Sequence, residues 1–259
     1  MSIIGVIPAR YDSKRFPGKC IVPLLGKPLI QWVIERVLQS EKISEIVVAV
    51  DDERVAEVVL EHNLDNDVKI VETSKDHKSG TDRIAEALKI IEWNGIGVVN
   101  IQGDEPLVDP DLIDQIALAL YHNEDLRQDG VGVDMFTACV PFSGIDELNS
   151  PDCVKIALAC DNEALYFSRS IIPFSRSGEE EKILNMYRKH VGIYGYTFEF
   201  LKDFVKEPEC SLEKIEKLEQ LRALWMGARI KVLEILDGSM GVDTPEDLKI
   251  VEEILRKLK

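Results

Sequence analysis

Four cations, Arg10, Lys14, Arg15 and Lys19, fall within ten residues in the run Pro8-Ala9-Arg10-Tyr11-Asp12-Ser13-Lys14-Arg15-Phe16-Pro17-Gly18-Lys19. An apolar stretch precedes the run and a helical pattern follows it. The run is therefore the loop at the carboxyl end of a first strand, where open α/β sheets bind ligands. Arginine grips two oxygens at once and lysine acts as a point charge. Convergent Arg10, Arg15 and Lys19, with a small Ser13 and a flexible Gly18, thus suit an oligophosphate. A solvated basic loop is the alternative. The spacing matches neither Gly-x-x-x-x-Gly-Lys-Ser/Thr nor Gly-x-Gly-x-x-Gly, so neither of those nucleotide folds is implied.

Carboxylates mark two further loops. Asn100-Ile101-Gln102-Gly103-Asp104-Glu105-Pro106 ends a fourth strand pattern and puts Asp104 on the same rim as the basic loop. Gly103 lets backbone approach a ligand closely. A carboxylate facing a triphosphate suits Mg²⁺, a hard cation; an Asx turn is the other reading of Asp104. In Gly241-Val242-Asp243-Thr244-Pro245-Glu246-Asp247, Thr244 caps a helix, Pro245 fits its first turn and Asp247 completes a capping box. That chemistry does not need Asp243, which reads as a second Mg²⁺ ligand.

Asp76-His77-Lys78-Ser79-Gly80-Thr81-Asp82-Arg83 opens a helix. Amides and hydroxyls of Ser79, Gly80 and Thr81 suit a base edge or a phosphate there, and a plain helix cap by Ser79 or Thr81 explains them as well. In the second half, Arg169 and Arg176 bracket Ile171-Ile172-Pro173-Phe174 and could hold a substrate carboxylate. His190 and Tyr194 lie four apart on a strand pattern and so point to one face. Glu219 and Gln220 add polar groups on a helix. Taken singly, these read better as surface arginines, a satisfied histidine and helix-face polar groups.

The elements that must position these residues alternate between strand and helix. Residues 3–8, 46–50, 68–73 and 98–101 read as strands, and the unbroken β-branched run at 46–50 as one buried on both faces. Residues 29–38, 52–62, 81–93 and 110–120 read as helices, the first carrying Ile30, Val33, Ile34, Val37 and Leu38 at helical spacing. This rhythm predicts βαβ units, a parallel sheet and helices on both faces. After about residue 130 it loosens. Residues 135–140, 154–159, 191–196 and 230–235 read as strands, and 175–181 as a mobile polar loop. Residues 212–225 read as one helix whose stripe of Leu212, Ile215, Leu218, Leu221 and Trp225 packs into a core. No repeat or linker interrupts the chain, which reads as one domain over 1–259 with a lid-like insertion.

At 259 residues, 45% hydrophobic and 30% charged, the chain can bury a core without disulfides or metal staples. Its 31 Lys+Arg against 47 Asp+Glu give a net charge of −16, which argues against nucleic acid or an anionic membrane as partner. No signal peptide and no spanning apolar run is visible. Five scattered cysteines without Cys-x-x-Cys predict reduced thiols in the cytosol, at least four of them small buried hydrophobes.

Seven segments in order complete the pattern: residues 7–19 (IPARYDSKRFPGK), 76–83 (DHKSGTDR), 102–106 (QGDEP), 165–173 (LYFSRSIIP), 190–194 (HVGIY), 218–224 (LEQLRAL) and 241–248 (GVDTPEDL). Together they resemble the 3-deoxy-manno-octulosonate (Kdo) cytidylyltransferases, or CMP-Kdo synthetases, essentially end to end. The resemblance implies a Rossmann-like α/β nucleotidyltransferase fold, with a mixed, mostly parallel sheet and helices on both faces. It implies a smaller lid-like or dimerisation insertion, with residues about 151–225 serving the sugar and the dimer. The implied protein is a cytoplasmic homodimer running CTP + Kdo → CMP-Kdo + pyrophosphate with Mg²⁺, for lipopolysaccharide or capsule. By the same resemblance Arg10, Ser13 and Lys19 hold the triphosphate with Arg15 nearby, and Ser79, Gly80 and Thr81 lie near the cytidine. Asp104 and Asp243 bind Mg²⁺. Gln102, Arg169, Arg176, His190, Tyr194, Glu219 and Gln220 line the sugar-acid pocket. Catalysis falls to Arg10, Lys19, Asp104 and Asp243.

Some positions depart from the family pattern. Cys20 stands where proline usually follows Gly-Lys, Val50 where threonine usually precedes the acidic pair, and Phe174-Ser175-Arg176-Ser177 replaces a more acidic form. The last change leaves 8-amino-8-deoxy-Kdo open as the sugar. Sialic acid cytidylyltransferases and uridylyl- or guanylyltransferases share the fold and the basic loop; residues 190–194 and 218–224 favour Kdo. A non-catalytic nucleotide-binding domain is expected to lack one of Lys19, Asp104 or Asp243, and all three are present.

Overall fold

Strand β1 (Ile3–Ala9) carries the apolar run Ile-Ile-Gly-Val-Ile and is buried along almost its whole length, as a strand covered on both faces must be. It pairs in parallel with β4 (Glu45–Val50) on one side, Val6 opposite Val47. The computed structural model describes residues 2–13, 15–62 and 68–258, so Lys14 of the basic loop lies outside the described residues. The chain forms two compact units, Met1–Tyr121 with Ser239–Lys259, and His122–Gly238.

In the first unit a tight hairpin, β2 (Pro23–Leu24) and β3 (Lys27–Pro28), follows the basic loop. Its Leu25 and Gly26 both have positive φ, the backbone a two-residue hairpin turn requires. Helix α1 (Leu29–Val37) buries Leu29, Ile30, Val33, Ile34 and Val37, the stripe its spacing predicts. After β4 come α2 (Glu53–His62), β5 (Lys69–Glu72), α3 (Gly80–Ile90), β6 (Gly97–Asn100) and α4 (Pro110–Gln128), within which the unit boundary falls. β5 pairs in parallel with β4, and β6 in parallel with the free side of β1. The strand order β6-β1-β4-β5 therefore reverses its direction of travel at β1. Such a switch point opens a crevice at the carboxyl ends of the two strands that diverge there, and the loops after β1 and β6 carry Arg10–Lys19 and Gln102–Asp104. The mostly parallel α/β sheet expected from the sequence is present in this unit.

The second unit is a mixed sheet. β7 (Met135–Pro141) is followed by α5 (Ile145–Asn149), β8 (Lys155–Leu158), β9 (Ala164–Ser168) and β10 (Arg188–Thr197). α6 (Phe198–Phe204), α7 (Ser211–Glu216), α8 (Gln220–Trp225) and β11 (Ile230–Glu234) complete it. β10 runs antiparallel to β7 and β8, β8 antiparallel to β9, and β11 parallel to β7. The polar loop is irregular through Glu179 and enters a 3₁₀ turn at Glu180. The chain then returns to the first unit in α9 (Pro245–Leu258). Asp247 Oδ2 accepts from the Thr244 amide at 2.8 Å and the Asp247 amide donates to Thr244 Oγ1 at 3.2 Å, the capping box read from the sequence.

Two expectations are corrected. Residues 212–225 are not one helix: Lys217 adopts left-handed backbone (φ 55°, ψ 45°) and its amide closes on the Glu213 carbonyl at 2.7 Å, ending α7 as a C-terminal cap does. The apolar stripe is split accordingly, with Leu218 and Leu221 buried and Ile215 and Trp225 exposed. Of the five thiols three are buried rather than four, Cys153 being half-buried and Cys160 exposed. Because left-handed backbone penalises a Cβ, and most of all a branched one, Lys217→Val is expected to destabilise the protein by more than about 1 kcal/mol while Lys217→Gly does not. Denaturant midpoints of the two variants check this.

Candidate active site

Gly18 (φ 71°) turns the basic loop into a short 3₁₀ segment, Lys19–Ile21, and a Cβ at Gly18 would lie 3.3 Å from the Tyr11 ring. The turn delivers Lys19 Nζ between two carboxylates. It donates to Asp104 Oδ2 and, at 2.9 Å, to Asp243 Oδ1. Arg15 Nη2 donates to the other oxygen of Asp243 at 2.7 Å. The Val242 amide donates to the Asp104 carbonyl at 2.8 Å, so the loop before α9 is tied to the loop after β6 by backbone as well as by charge. Burial alone would lower the Lys19 ammonium, but Asp104 and Asp243 outweigh it and hold it above its ordinary value. Asp243 is correspondingly held below the usual carboxylate range: Lys19 and Arg15 overcome its burial. Asp104 is thus an ion-pair partner, not the backbone-capping Asx turn.

A cleft of about 180 Å³ opens beside Lys19. Arg10, Lys19, Ser79, Gly80, Gln102 and Asp104 of the expected residues line it, together with Lys78, Arg83, His77 and Cys20. Four cations against one aspartate make this a basic pocket in an acidic chain. Ser13 and Thr81 are buried, and Arg15 is exposed. Ser79 is the α3 cap, its hydroxyl accepting from the Asp82 amide at 3.1 Å. Gly103 serves a structural need: a Cβ there would meet the Pro8 carbonyl at 2.9 Å, so the close approach is to the end of β1.

Sequence reasoning missed two half-buried carboxylate arrangements. Asp51 pairs with buried Arg83 at 2.9 Å, an association across 32 residues that no spacing rule exposes. Burial pushes Glu105 up to about 7, with the negative Asp104 and Asp243 adding to it, although Ser239 Oγ donates to it at 2.6 Å. Its position inside the QGDEP segment was the only signal.

In the second unit the residues expected for the sugar acid fall into three settings. His190 and Tyr194 do share a face, their rings 5.4 Å apart, although β10 bulges between Val191 and Tyr194. His190 Nε2 hydrogen-bonds Thr137 Oγ1 at 2.9 Å, and its ring meets Phe167 edge-on at 5.0 Å. Burial pushes its imidazole down to about 3, so it is neutral at physiological pH. Arg169 is held on main-chain carbonyls, Nε to Glu216 at 2.7 Å and Nη1 to Pro151 at 2.9 Å, whereas Arg176 is exposed. Glu219 accepts from buried Arg222 at 2.9 Å, and Gln220 is buried at the start of α8.

The cytidylyltransferase family profile matches residues 4–230. The chain is 46% identical, over 98% of both chains, to the 3-deoxy-manno-octulosonate cytidylyltransferase of Bdellovibrio bacteriovorus. It is 42% identical, over the whole of both chains, to that of Geobacter sulfurreducens. The chain belongs to the 3-deoxy-manno-octulosonate cytidylyltransferase family. A solved structure of a CMP:2-keto-3-deoxy-manno-octonic acid synthetase complexed with CTP matches all of both chains at 36% identity and TM-score 0.87. A cytidylyltransferase from Leptospira borgpetersenii, at 18% identity and TM-score 0.59, shares the fold. Against the family pattern, Cys20 keeps its neighbourhood tied without proline: its thiol donates to the Arg10 carbonyl at 3.4 Å, and burial pushes that thiol up to about 12.

The depressed His190 value has a thermodynamic sign. The folded state keeps the ring neutral while the unfolded chain binds a proton below about 6.5, so stability is full above that pH and declines as pH falls toward the folded value. His190→Gln is expected to flatten the fall in denaturant midpoint between pH 7 and pH 4.5. Parallel curves for variant and wild type would contradict it.

Proposed function

We propose that this chain transfers the cytidylyl group of CTP to Kdo, releasing pyrophosphate and forming CMP-Kdo for lipopolysaccharide or capsule, in the cytoplasm and as a homodimer. One observation carries the reading: Lys19 converges with Asp104 and Asp243 beside a basic cleft also lined by Arg10, in a chain of this family. No helix among the described residues is long and apolar enough to cross a membrane.

The anomeric 2-hydroxyl oxygen of Kdo attacks the α-phosphorus in line with the departing pyrophosphate. The new O–P bond forms as the bond to the bridging oxygen breaks, its electron pair leaves with pyrophosphate, and the hydroxyl proton passes to solvent. Among the described residues of the cleft none is placed as a covalent nucleophile, so positioning and charge neutralisation dominate, as in phosphoryl transfer generally. Arg10 and Lys19 take up charge on the leaving pyrophosphate. Two carboxylates that already converge on one cation are a hard-oxygen donor set suited to Mg²⁺; Asp104 and Asp243 would hold the ion, which when bound supplies charge neutralisation at the phosphates and acidifies a nearby hydroxyl. Arg169 and Arg176 serve the sugar carboxylate, and Gln102, Tyr194, Glu219 and Gln220 its hydroxyls. The Thr137 hydrogen bond and the flanking rings of Phe167 and Tyr194 hold His190 in one orientation, which suits orienting the sugar.

Pyrophosphate release is the direct assay. Lys19→Met, Asp104→Asn and Asp243→Asn are each expected to lower kcat/KM by about a hundredfold or more, and chelation of divalent cations to abolish turnover, while Lys257→Met leaves activity unchanged. Aspartate variants near wild-type activity would remove the metal assignment. A panel with 8-amino-8-deoxy-Kdo and sialic acid decides the sugar: faster turnover of either would replace Kdo in the reading.

A further inference from the structure

The basic loop hangs on Tyr11. Its carbonyl accepts from the Ser13 amide at 3.1 Å and the Gly18 amide at 2.8 Å, pinning the two ends of the loop together just before Lys19. Its ring lies under the Arg54 guanidinium at 3.4 Å, with Gly18 against it. Its own amide leaves the loop and donates to Asp51 Oδ1 at 2.9 Å, at the end of β4.

Asp51 does two jobs with two oxygens. Oδ1 holds Tyr11, while Oδ2 accepts from Arg83 Nη2 at 2.9 Å. Arg83 is buried and Asp51 half-buried, with side-chain exposures of 3% and 10%. Arg83 is fixed in turn by Thr73 Oγ1 at 2.6 Å and the Ser74 carbonyl at 3.2 Å, and Thr73 Oγ1 donates back to the Val50 carbonyl at 2.7 Å. The carboxyl ends of β4 and β5 and the first turns of α3 therefore form one rigid block, and Asp51 couples the loop to it. Asp51 lines not the cleft beside Lys19 but an adjoining cavity that shares Arg10, His77 and Arg83 with it.

We propose that Asp51 is a positioning residue that presets the described parts of the basic loop, residues 10–13 and 15–19: it fixes the Tyr11 amide so that Arg10 and Lys19 stand ready for a triphosphate before the nucleotide arrives, while Arg83 neutralises its half-buried charge. A loop ordered in advance spares the nucleotide the entropic cost of ordering it. The inference rests on the reading of this loop as the nucleotide site.

The test separates the two oxygens. Asp51→Ala removes both functions; Asp51→Asn keeps an oxygen for the Tyr11 amide but loses the charge and turns an amide donor, in place of an acceptor, toward Arg83. Asp51→Ala is expected to raise KM for CTP about tenfold, the loss of one charge-assisted hydrogen bond, with kcat within about threefold of wild type and KM for Kdo unchanged. Trypsin cleavage after Arg15 in the nucleotide-free protein should speed up in parallel. Asp51→Asn should keep near-wild-type KM for CTP and trypsin resistance but melt at lower temperature, because Arg83 loses its counter-charge. Should Asp51→Ala not fold, Asp51→Ala/Arg83→Met removes the unpaired charge and is read by trypsin in the same way. A folded Asp51→Ala with wild-type trypsin resistance and KM for CTP overturns the proposal, as do equal effects of Ala and Asn on both. If the wild type neither binds nor turns over CTP, the nucleotide reading fails, and the trypsin arms still decide whether Asp51 sets the loop.

Discussion

The first unit is organised around one ammonium held by two carboxylates. Lys19 comes from the loop after β1, Asp104 from the loop after β6, and Asp243 from the segment before α9. These three pieces are more than two hundred residues apart at the extremes, and the Lys19–Asp243 contact alone spans 224. Partial burial, with the Lys19 side chain only 12% exposed, makes the charges interact more strongly than on an open surface, and leaves the ammonium costly to unpair, more so than Asp243 at 47% exposure. The arrangement explains why the chain must return to its first unit after residue 238: the third member of the group is carried by the loop whose Thr244–Asp247 capping box starts α9.

The topology supplies the place and the loops supply the chemistry. Parallel strands β1 and β6 diverge in their connections, so the crevice between their carboxyl ends is open to ligand without a strand having to be broken. Around it Arg10, Lys78 and Arg83 add positive charge that the net −16 conceals. Both substrates of a sugar-acid cytidylyltransferase are anions, and the local field rather than the total charge decides whether they enter. The second unit works differently: of its expected sugar-side groups His190 and Tyr194 sit on the mixed sheet, in a ladder of rings that runs from Phe167 through His190, Tyr194 and Tyr196 to Phe204 of α6 at centroid spacings of 5.0 to 6.1 Å. That ladder and the Thr137 bond fix the histidine's orientation and keep it neutral.

The legible parts of the sequence were those with a strong local signature. The continuous apolar runs of β1 and β4, the stripe of α1 and the Thr244–Asp247 capping box each follow from a rule that acts within one element. The basic loop stood out because cations are scarce in this chain. Where the signal was weak or nonlocal, reading failed. β9 has Leu165 exposed amid Ala164 and Phe167, an alternation too short to assert a strand. The helix expected over 212–225 is broken at Lys217, a residue with no intrinsic preference for left-handed backbone. The Asp51–Arg83 pair and the role of Gly103 against Pro8 arise only when distant segments meet. The spacing of His190 and Tyr194 gave the right shared face although the strand bulges between them.

On the proposed reading, the loops after β1 and β6, with the segment before α9, form the triphosphate site, and a crystal structure of the protein with CTP and Mg²⁺ decides whether they do. The triphosphate is expected along the basic loop, with Arg10 and Lys19 on phosphate oxygens and Asp104 and Asp243 on the metal. Triphosphate density elsewhere, with Lys19 still paired to both aspartates and no metal between them, overturns the assignment.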